Sequence, residues 1–421
     1  MLKFIHAADI HLDSPLVGLP RYAGAPVERL RGATRQALRN LVQLAVTEQV
    51  DLVLFAGDLY DGDWRDYNTG LFFAAEMTRL RAAGIRVIVL AGNHDAASQI
   101  TRHLRLPDNV TTLATQRPES IVLEALGVVV HGQGFATRAV TENLAAAYPA
   151  ARRDLFNIGL LHTALDGREG HAPYAPCALD DLLSKGYDYW ALGHVHQREV
   201  LHRDPWIVFP GNIQGRHIRE TGPKGCTLVT VRDRAVVAAE HHDLDVLRWS
   251  ACAVDTADAA TADEVVSRTL QALAAAWSGA TGRALAVRVT LRGACAAHGE
   301  LAANPDRWLN EIRAAATDLS AGDLWIEQIA LRTQTTVDPA ALRHHDDALG
   351  GLLRAIQALE ADDRTVAALA DELHELQRKL PAELQARPDA VPIDAPAAIR
   401  ALLPEVQELL LARLLTGADH R

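Results

Sequence analysis

Short apolar runs alternate with helix-patterned stretches along roughly the first 240 positions. "FIHAADIH" from Phe4, "DLVLFA" at 51–56, "IRVIVLAGNHD" at 85–95, "NIGLLHT" at 157–163 and "YDYWALGHVH" at 187–196 read as buried strands, because each is short, apolar and bounded by polar residues. Between them, "PVERLRGATRQALRNLVQLAVTEQ" repeats Leu30, Leu38, Leu41, Val42 and Ala45 with helical spacing. "TGLFFAAEMTRLRAAG" is a second amphipathic helix, closed by Gly84. "SIVLEALGVVVHG" reads as a hairpin, and "WIVFPGN", "CTLVTV" and "AVVAAEHHD" as further strands with links short enough for antiparallel pairing. This is an α/β pattern, helices outside and sheets inside.

The texture changes near residue 244. A small α/β stretch, 244–337, includes the helix "PDRWLNEIRAAATDLS" and the strand "DLWIEQIALRTQT". From 338 to 421 the pattern is helical, with Pro381, Pro388, Pro392 and Pro396 marking a linker before "PEVQELLLARLLTG". Three segments are therefore expected: 1–243, 244–337 and 338–421.

Composition adds limits. A chain of 421 residues is too long for one ordinary core. No run approaches the ~18 apolar residues of a membrane span, and Met1-Leu2-Lys3-Phe4 leads straight into a strand without a signal-peptide core. A soluble, cytoplasmic protein is expected. Cys177, Cys226, Cys252 and Cys295 are widely spaced, which suits free thiols in a reducing compartment. The net charge of −11 means that any grip on nucleic acid must be local, metal-assisted or shared with a partner.

The chemistry is concentrated where strands end. Asp9 and His11, then Asp58, Asn93 and His94, His162, and His194 with His196 each sit at or just after the end of an apolar run, where α/β sheets build their sites. Gly57, Gly92 and Gly193 precede three of these blocks and let the backbone turn sharply. A mixed nitrogen and oxygen donor set suits Mn²⁺, Fe²⁺ or Zn²⁺ better than Mg²⁺ or Ca²⁺, and with no cysteine among the donors Mn²⁺ is expected. Two such cations need an anionic ligand between them and activate water as hydroxide for attack on phosphorus. Asp58, after an apolar strand, is the candidate bridge.

In order, the blocks "DIH", "GDLYD", "GNHD", "LLHT" and "GHVH" resemble the calcineurin-like metallophosphoesterases. Within them the chain resembles the SbcD-type repair nucleases, and "HAADIHLDSPL" and "PGNIQGRHIRETGPKGC" are most similar to the bacterial YhaO-type DNA repair exonucleases. The resemblance implies a four-layer α-β-β-α sandwich followed by a capping domain and a helical tail. It implies that Asp9, His11 and His196 bind one metal ion, that Asn93, His162 and His194 bind a second, and that Asp58 bridges them. His94 then faces the scissile phosphate, oriented by Asp95. The implied activity is a metal-dependent DNA phosphodiesterase, a 3′→5′ exonuclease and/or endonuclease in repair. One departure is Asp61, where many nucleases of this group carry a histidine that positions DNA; it leaves the exonuclease–endonuclease balance open.

Arg216, Arg219 and Lys224 follow the GHVH block and are candidates for holding flanking phosphates. Trp64 and Arg65 form a second candidate wall, and His171 with Tyr174 lies on a loop that could line the groove. His6 and His131 read as structural, and Asp13 is left without a role. The tail carries 14 acidic and 9 basic residues, so it is a poor DNA clamp. Leu409, Leu410, Leu411, Leu414 and Leu415 either fold back on their own domain or dock a partner. By resemblance that partner is an SMC-like, SbcC-type ATPase, and a homodimer is a further expectation. Two other readings stay open: a small-molecule phosphodiesterase or phosphoprotein phosphatase on the same core, and a non-catalytic scaffold protein.

Overall fold

A computed structural model describes residues 1–14, 32–61, 67–97, 105–167, 172–381 and 392–418. The chain forms two compact units. The first comprises Met1–Ser250 with Ala280–Val287, and the second Ala251–Gly279 with Arg288–Arg421.

In the first unit the chain runs β1 (Leu2–Ala7), α1 (Ala33–Thr47), β2 (Leu52–Ala56), α2 (Tyr67–Ala82), β3 (Arg86–Leu90), α3 (Asn93–Ala97), β4 (Val110–Thr112), β5 (Glu119–Leu123), β6 (Val128–Gly132) and β7 (Phe156–His162). It continues with α4 (Leu179–Leu183), β8 (Tyr189–Gly193), β9 (Glu199–Arg203), β10 (Trp206–Phe209), β11 (Gly225–Arg232) and β12 (Ala235–Asp243). Two six-stranded sheets result, ordered β12-β11-β1-β2-β3-β4 and β5-β6-β7-β8-β10-β9. β1, β2, β3 and β4 are mutually parallel, as are β6, β7 and β8, so the ligand-bearing strands of each sheet end on one side.

Alternation along each strand builds the layers. Phe4, Leu52, Leu54, Ile88 and Leu90 pack with Val130, Phe156, Ile158, Leu160, Tyr189 and Ala191 between the sheets. The residues between them point the other way. Ile5, Val53, Phe55 and Val87 meet Leu38, Leu41 and Val42 of α1 and Phe73 and Met77 of α2. Leu161, Trp190 and Leu192 meet Leu182 of α4. A strand buried on both faces must be apolar throughout, which explains the near-continuous apolar runs. His6 is the polar exception inside β1; its ring nitrogens bond the Tyr189 hydroxyl and the Leu192 carbonyl, each at 3.0 Å. His131 in β6 is likewise structural, held by Ser120 and Asn157.

The second unit is built on a three-stranded sheet in the order β13 (Leu247–Asp255), β14 (Ala284–Ala294) and β15 (Leu324–Gln334). Helices α5 (Ala262–Gly279), α6 (His298–Ala303) and α7 (Pro305–Ser320) connect the strands, and α8 (Pro339–Leu342), α9 (Ala348–Ala361), α10 (Asp363–Lys379) and α11 (Pro396–Ala418) follow. The unit therefore joins residues of the expected capping segment to those of the helical tail. Asp362 separates α9 from α10 by capping the latter, its carboxylate accepting from the Arg364 and Thr365 N–H groups. The last helix starts at Pro396, not Pro404. Proline is tolerated in a first helical turn, and Pro404 is carried inside the helix. Ile399, Leu403 and Leu411 are buried, whereas Val406, Leu409 and Leu414 are exposed, so the helix both folds back and leaves an apolar strip outside. Among the described residues no helix is long and apolar enough to cross a membrane.

Candidate metal centre

Five turns at the carboxyl ends of β1, β2, β3, β7 and β8 deliver the site, three from one sheet and two from the other. Close approach sets their sequence. A Cβ on Gly193 would lie 1.9 Å from the Ala56 carbonyl oxygen, and one on Gly57, whose φ is +97°, would lie 2.4 Å from His162 Nδ1. Asp9, His11, Asp58 and His194 also have positive φ although none is glycine. Such conformations cost about 1–3 kcal/mol each and persist where surrounding structure imposes them. Here the Asp9 N–H donates to the Gly57 carbonyl, the His11 N–H to the Asp58 carbonyl and the His194 N–H to the Asp9 carboxylate. Asp13 belongs to the same support: Arg35 grips its carboxylate with two bonds, and Thr69 adds a third.

Donor groups converge in overlapping sets. Asp9, His11 and His196 form one, and Asp58, His162 and His194 another, each with ligand atoms within 4.8 Å of one another. A third set, His11, Asp58 and His94, links them. Asp58 Oδ2 lies 3.9 Å from His11 Nε2 and 3.5 Å from His162 Nε2, facing both groups. Asn93 Oδ1 is 2.9 Å from His162 Nε2.

The tautomers suit cations. His196 Nδ1–H donates to the buried Glu220 carboxylate at 2.7 Å, which leaves Nε2 as a bare lone pair, 3.2 Å from His11 Nε2. His162 Nδ1–H donates to the Ala56 carbonyl at 2.9 Å and turns its Nε2 to Asp58 and Asn93. His194 Nε2–H donates to the Ala172 carbonyl at 2.9 Å. Ligand histidines are held in this way by their other nitrogen. Lone pairs aimed at one another in a buried place repel unless a proton or a cation lies between them. The donor set therefore fits divalent cations.

The ionisation states agree. Burial lowers the His11 pKa to about 4 and the His196 pKa to about 3, leaving both neutral as ligands must be. His162 goes the other way: burial opposes its charge, but Asp58 outweighs it and raises the pKa to about 9. Asp9 is raised to about 7, chiefly by burial. Without a cation the centre thus holds protons on His162 and, in part, Asp9 near neutral pH. A divalent ion must displace them. Mn²⁺ binding is expected to release protons at pH 7, and its apparent affinity to rise with pH up to about 9. Calorimetric titration in two buffers of different ionisation enthalpy measures the release.

His94 does not depend on Asp95. The Asp95 carboxylate is buried and accepts from the N–H groups of Leu59, Tyr60 and Gly92 at 3.1, 3.0 and 3.0 Å, tying the GDLY turn to the GNHD turn. Its geometry is that of a backbone staple, and it is Asp61 that bonds His94 Nδ1, at 3.0 Å. Burial works against charge on His94, but the Asp61 bond and the charges of Asp58 and Asp61 outweigh it and raise the pKa. Asp95→Ala leaves three N–H groups without their acceptor, at about 1–3 kcal/mol for each one that stays buried. A loss of several kcal/mol in urea unfolding is expected, whereas Asp61→Asn leaves stability nearly unchanged.

Comparison with known proteins matches this geometry to a family. Residues 2–198 match the calcineurin-like phosphoesterase family, and residues 249–336 match the middle domain of the metallophosphoesterase YhaO. The chain carries a calcineurin-like phosphoesterase domain. It is 41% identical to the uncharacterized metallophosphoesterase YhaO of Bacillus subtilis over 262 residues, 61% of this chain and 64% of the relative. It is 28% identical to the DNA double-strand break repair protein Mre11 of Sulfurisphaera tokodaii over 206 residues, 45% of this chain and 51% of the relative. One of the two proteins of the nuclease SbcCD of Rhodobacter capsulatus is 29% identical over 133 residues, 31% of this chain and 27% of the relative. The chain thus spans less than two thirds of the length of each of these relatives.

At the rim of the phosphoesterase site the three basic candidates diverge. Arg219 is exposed. Lys224 points inward: it is buried, and its ammonium donates to the His196 carbonyl at 2.8 Å, bracing a histidine turn instead of reaching solvent. Burial lowers its pKa. Arg216 is enclosed beside Glu220 and Asp61. Glu220 is the functional carboxylate that sequence reasoning missed, since in the sequence it reads only as an offset to nearby charge. Burial disfavours its ionisation, but the His196 hydrogen bond and the Arg216 charge hold its pKa far below the usual range. On the opposite rim Tyr174 is half-buried, its ring 5.7 Å from that of His194. Trp64, Arg65 and His171 lie outside the described residues.

Proposed function

We propose that the chain is a two-metal phosphodiesterase acting on DNA, a 3′→5′ exonuclease and/or endonuclease in repair, with Mn²⁺ as its metal. One observation carries the reading: Asp58 faces two histidine clusters at once, with His94 beside them. Asp9, His11 and His196 would hold one cation, Asn93, His162 and His194 the other, and Asp58 both. When bound, the cations supply Lewis acidity toward the phosphate and lower the pKa of a nucleophilic water. His94, with Nδ1 committed to Asp61, offers Nε2 to the phosphoryl or leaving oxygen as a donor. Asp61 holds that ring in place and favours its charged form.

Support for DNA as the substrate comes from the resemblance of the blocks to repair nucleases and from the repair and nuclease roles that the Mre11 and SbcCD relatives carry in their names. The net charge of −11 favours a partner that helps hold DNA. The exposed strip of Val406, Leu409 and Leu414 on α11 is a candidate docking face for an SMC-like ATPase. A homodimer and a cytoplasmic location belong to the same reading.

End-labelled duplex DNA with Mn²⁺ tests it. Metal-dependent laddering from the 3′ end, or internal nicking, supports the reading. Hydrolysis of bis-p-nitrophenyl phosphate without cleavage of DNA turns it toward a smaller phosphodiester. Absence of both activities with no stoichiometric metal turns it toward a scaffold protein.

A further inference from the structure

We infer that Arg216 is a positioning residue that clamps two carboxylate–histidine pairs together, one belonging to a metal ligand and one to the proposed acid. The inference rests on the roles proposed above for His196 and His94. Asp61 bonds His94 Nδ1 at 3.0 Å, and Glu220 bonds His196 Nδ1 at 2.7 Å. Both carboxylates reach the same guanidinium. Arg216 Nη2 donates to Glu220 Oε1 at 3.3 Å, and Nη1 lies 3.9 Å from Asp61 Oδ1. Ser14 relays the second contact, accepting from Nη1 at 3.4 Å and donating to Asp61 Oδ2 at 2.8 Å.

The enclosure argues against a solvent-facing phosphate hook. The Arg216 side chain is only 13% exposed, its backbone N–H donates to Glu220 Oε2 at 2.7 Å, and Trp249 Nε1–H holds the preceding Gly215 carbonyl at 3.0 Å. Arg216 Nη2 also lies 3.3 Å from His196 Nδ1, so both donors turn to one Glu220 oxygen. Asp61 in addition sits 3.5 Å from His11 Nδ1, on the far side of the ligand whose Nε2 meets that of His196. A planar fork can serve two carboxylates at once, which a single ammonium does poorly. The clamp thus connects two ligand histidines of one cation to the group that meets the leaving oxygen.

The test is Mn²⁺ calorimetry, which needs no turnover of DNA, joined to kinetics on bis-p-nitrophenyl phosphate. Arg216→Gln and Glu220→Gln are each expected to weaken Mn²⁺ binding by about tenfold, and the double variant to be no worse than the poorer single. Arg216→Gln and Asp61→Asn are expected to lower kcat non-additively in the same way. Arg216→Lys restores charge without the fork and is expected not to rescue either quantity. If Arg216→Gln fails to fold by circular dichroism, Arg216→Lys supplies the same readouts. Unchanged Mn²⁺ affinity and kcat with only KM raised, or full rescue by lysine, overturns the clamp and makes Arg216 a substrate contact. A chain that ignores DNA but shows the calorimetric coupling loses the DNA reading and keeps the clamp.

Discussion

Asp58→Asn is expected to abolish Mn²⁺ binding at one position at least and to lower phosphodiester hydrolysis by about a thousandfold or more, beyond the range set by losing a single preorganised contact. The effect is electrostatic, with the shape of the site preserved. Asparagine keeps an oxygen where Asp58 Oδ1 accepts from the His94 N–H at 2.9 Å. It removes the negative charge that faces both His11 and His162. That charge is also what raises the His162 pKa against burial, so the variant should no longer hold its proton on His162. The fold therefore survives while the centre fails. Elemental analysis and hydrolysis of bis-p-nitrophenyl phosphate read the two effects in one preparation.

His94→Ala separates chemistry from metal. His94 sits beside the clusters, but its Nδ1 is taken by Asp61, and its ring is partly exposed. Removing a positioned general acid costs about 10²–10⁴-fold. The expected result is a fall of that size in kcat with Mn²⁺ content unchanged. Asp61→Asn should reproduce a smaller part of the loss, because the ring remains but is less firmly held and less readily charged. Loss of Mn²⁺ from His94→Ala would make His94 a ligand, as its place in the set with His11 and Asp58 permits chemically.

The ligand blocks were legible because each terminates a strand buried on both faces. "DLVLFA" and "YDYWALG" can be nothing but interior, so the polar residues that follow them mark a sheet end. Parallel order then brings five such ends to one side. The supporting residues were not legible in the same way. Glu220 reaches His196 only because a loop folds back across 24 positions, and Asp61 reaches His94 across 33; no periodicity marks either. Asp95 was misread because sequence proximity to His94 suggested a partner, whereas α3 turns its carboxylate to the backbone of the neighbouring turn. Lys224 shows the same limit: a basic residue in a glycine-rich loop reads as exposed, but here its ammonium replaces a backbone donor for the His196 carbonyl. At the other end of the chain, Pro404 reads as a helix start, and only packing shows that α11 runs through it from Pro396.

The measurement that bears most directly on the central claim is the number and position of Mn²⁺ ions bound to the chain, located by anomalous scattering and counted by calorimetry. Two ions are predicted: one among Asp9, His11 and His196, the other among Asn93, His162 and His194, with Asp58 between them. One ion, or ions bound elsewhere while His162 keeps its proton, would contradict the two-metal account.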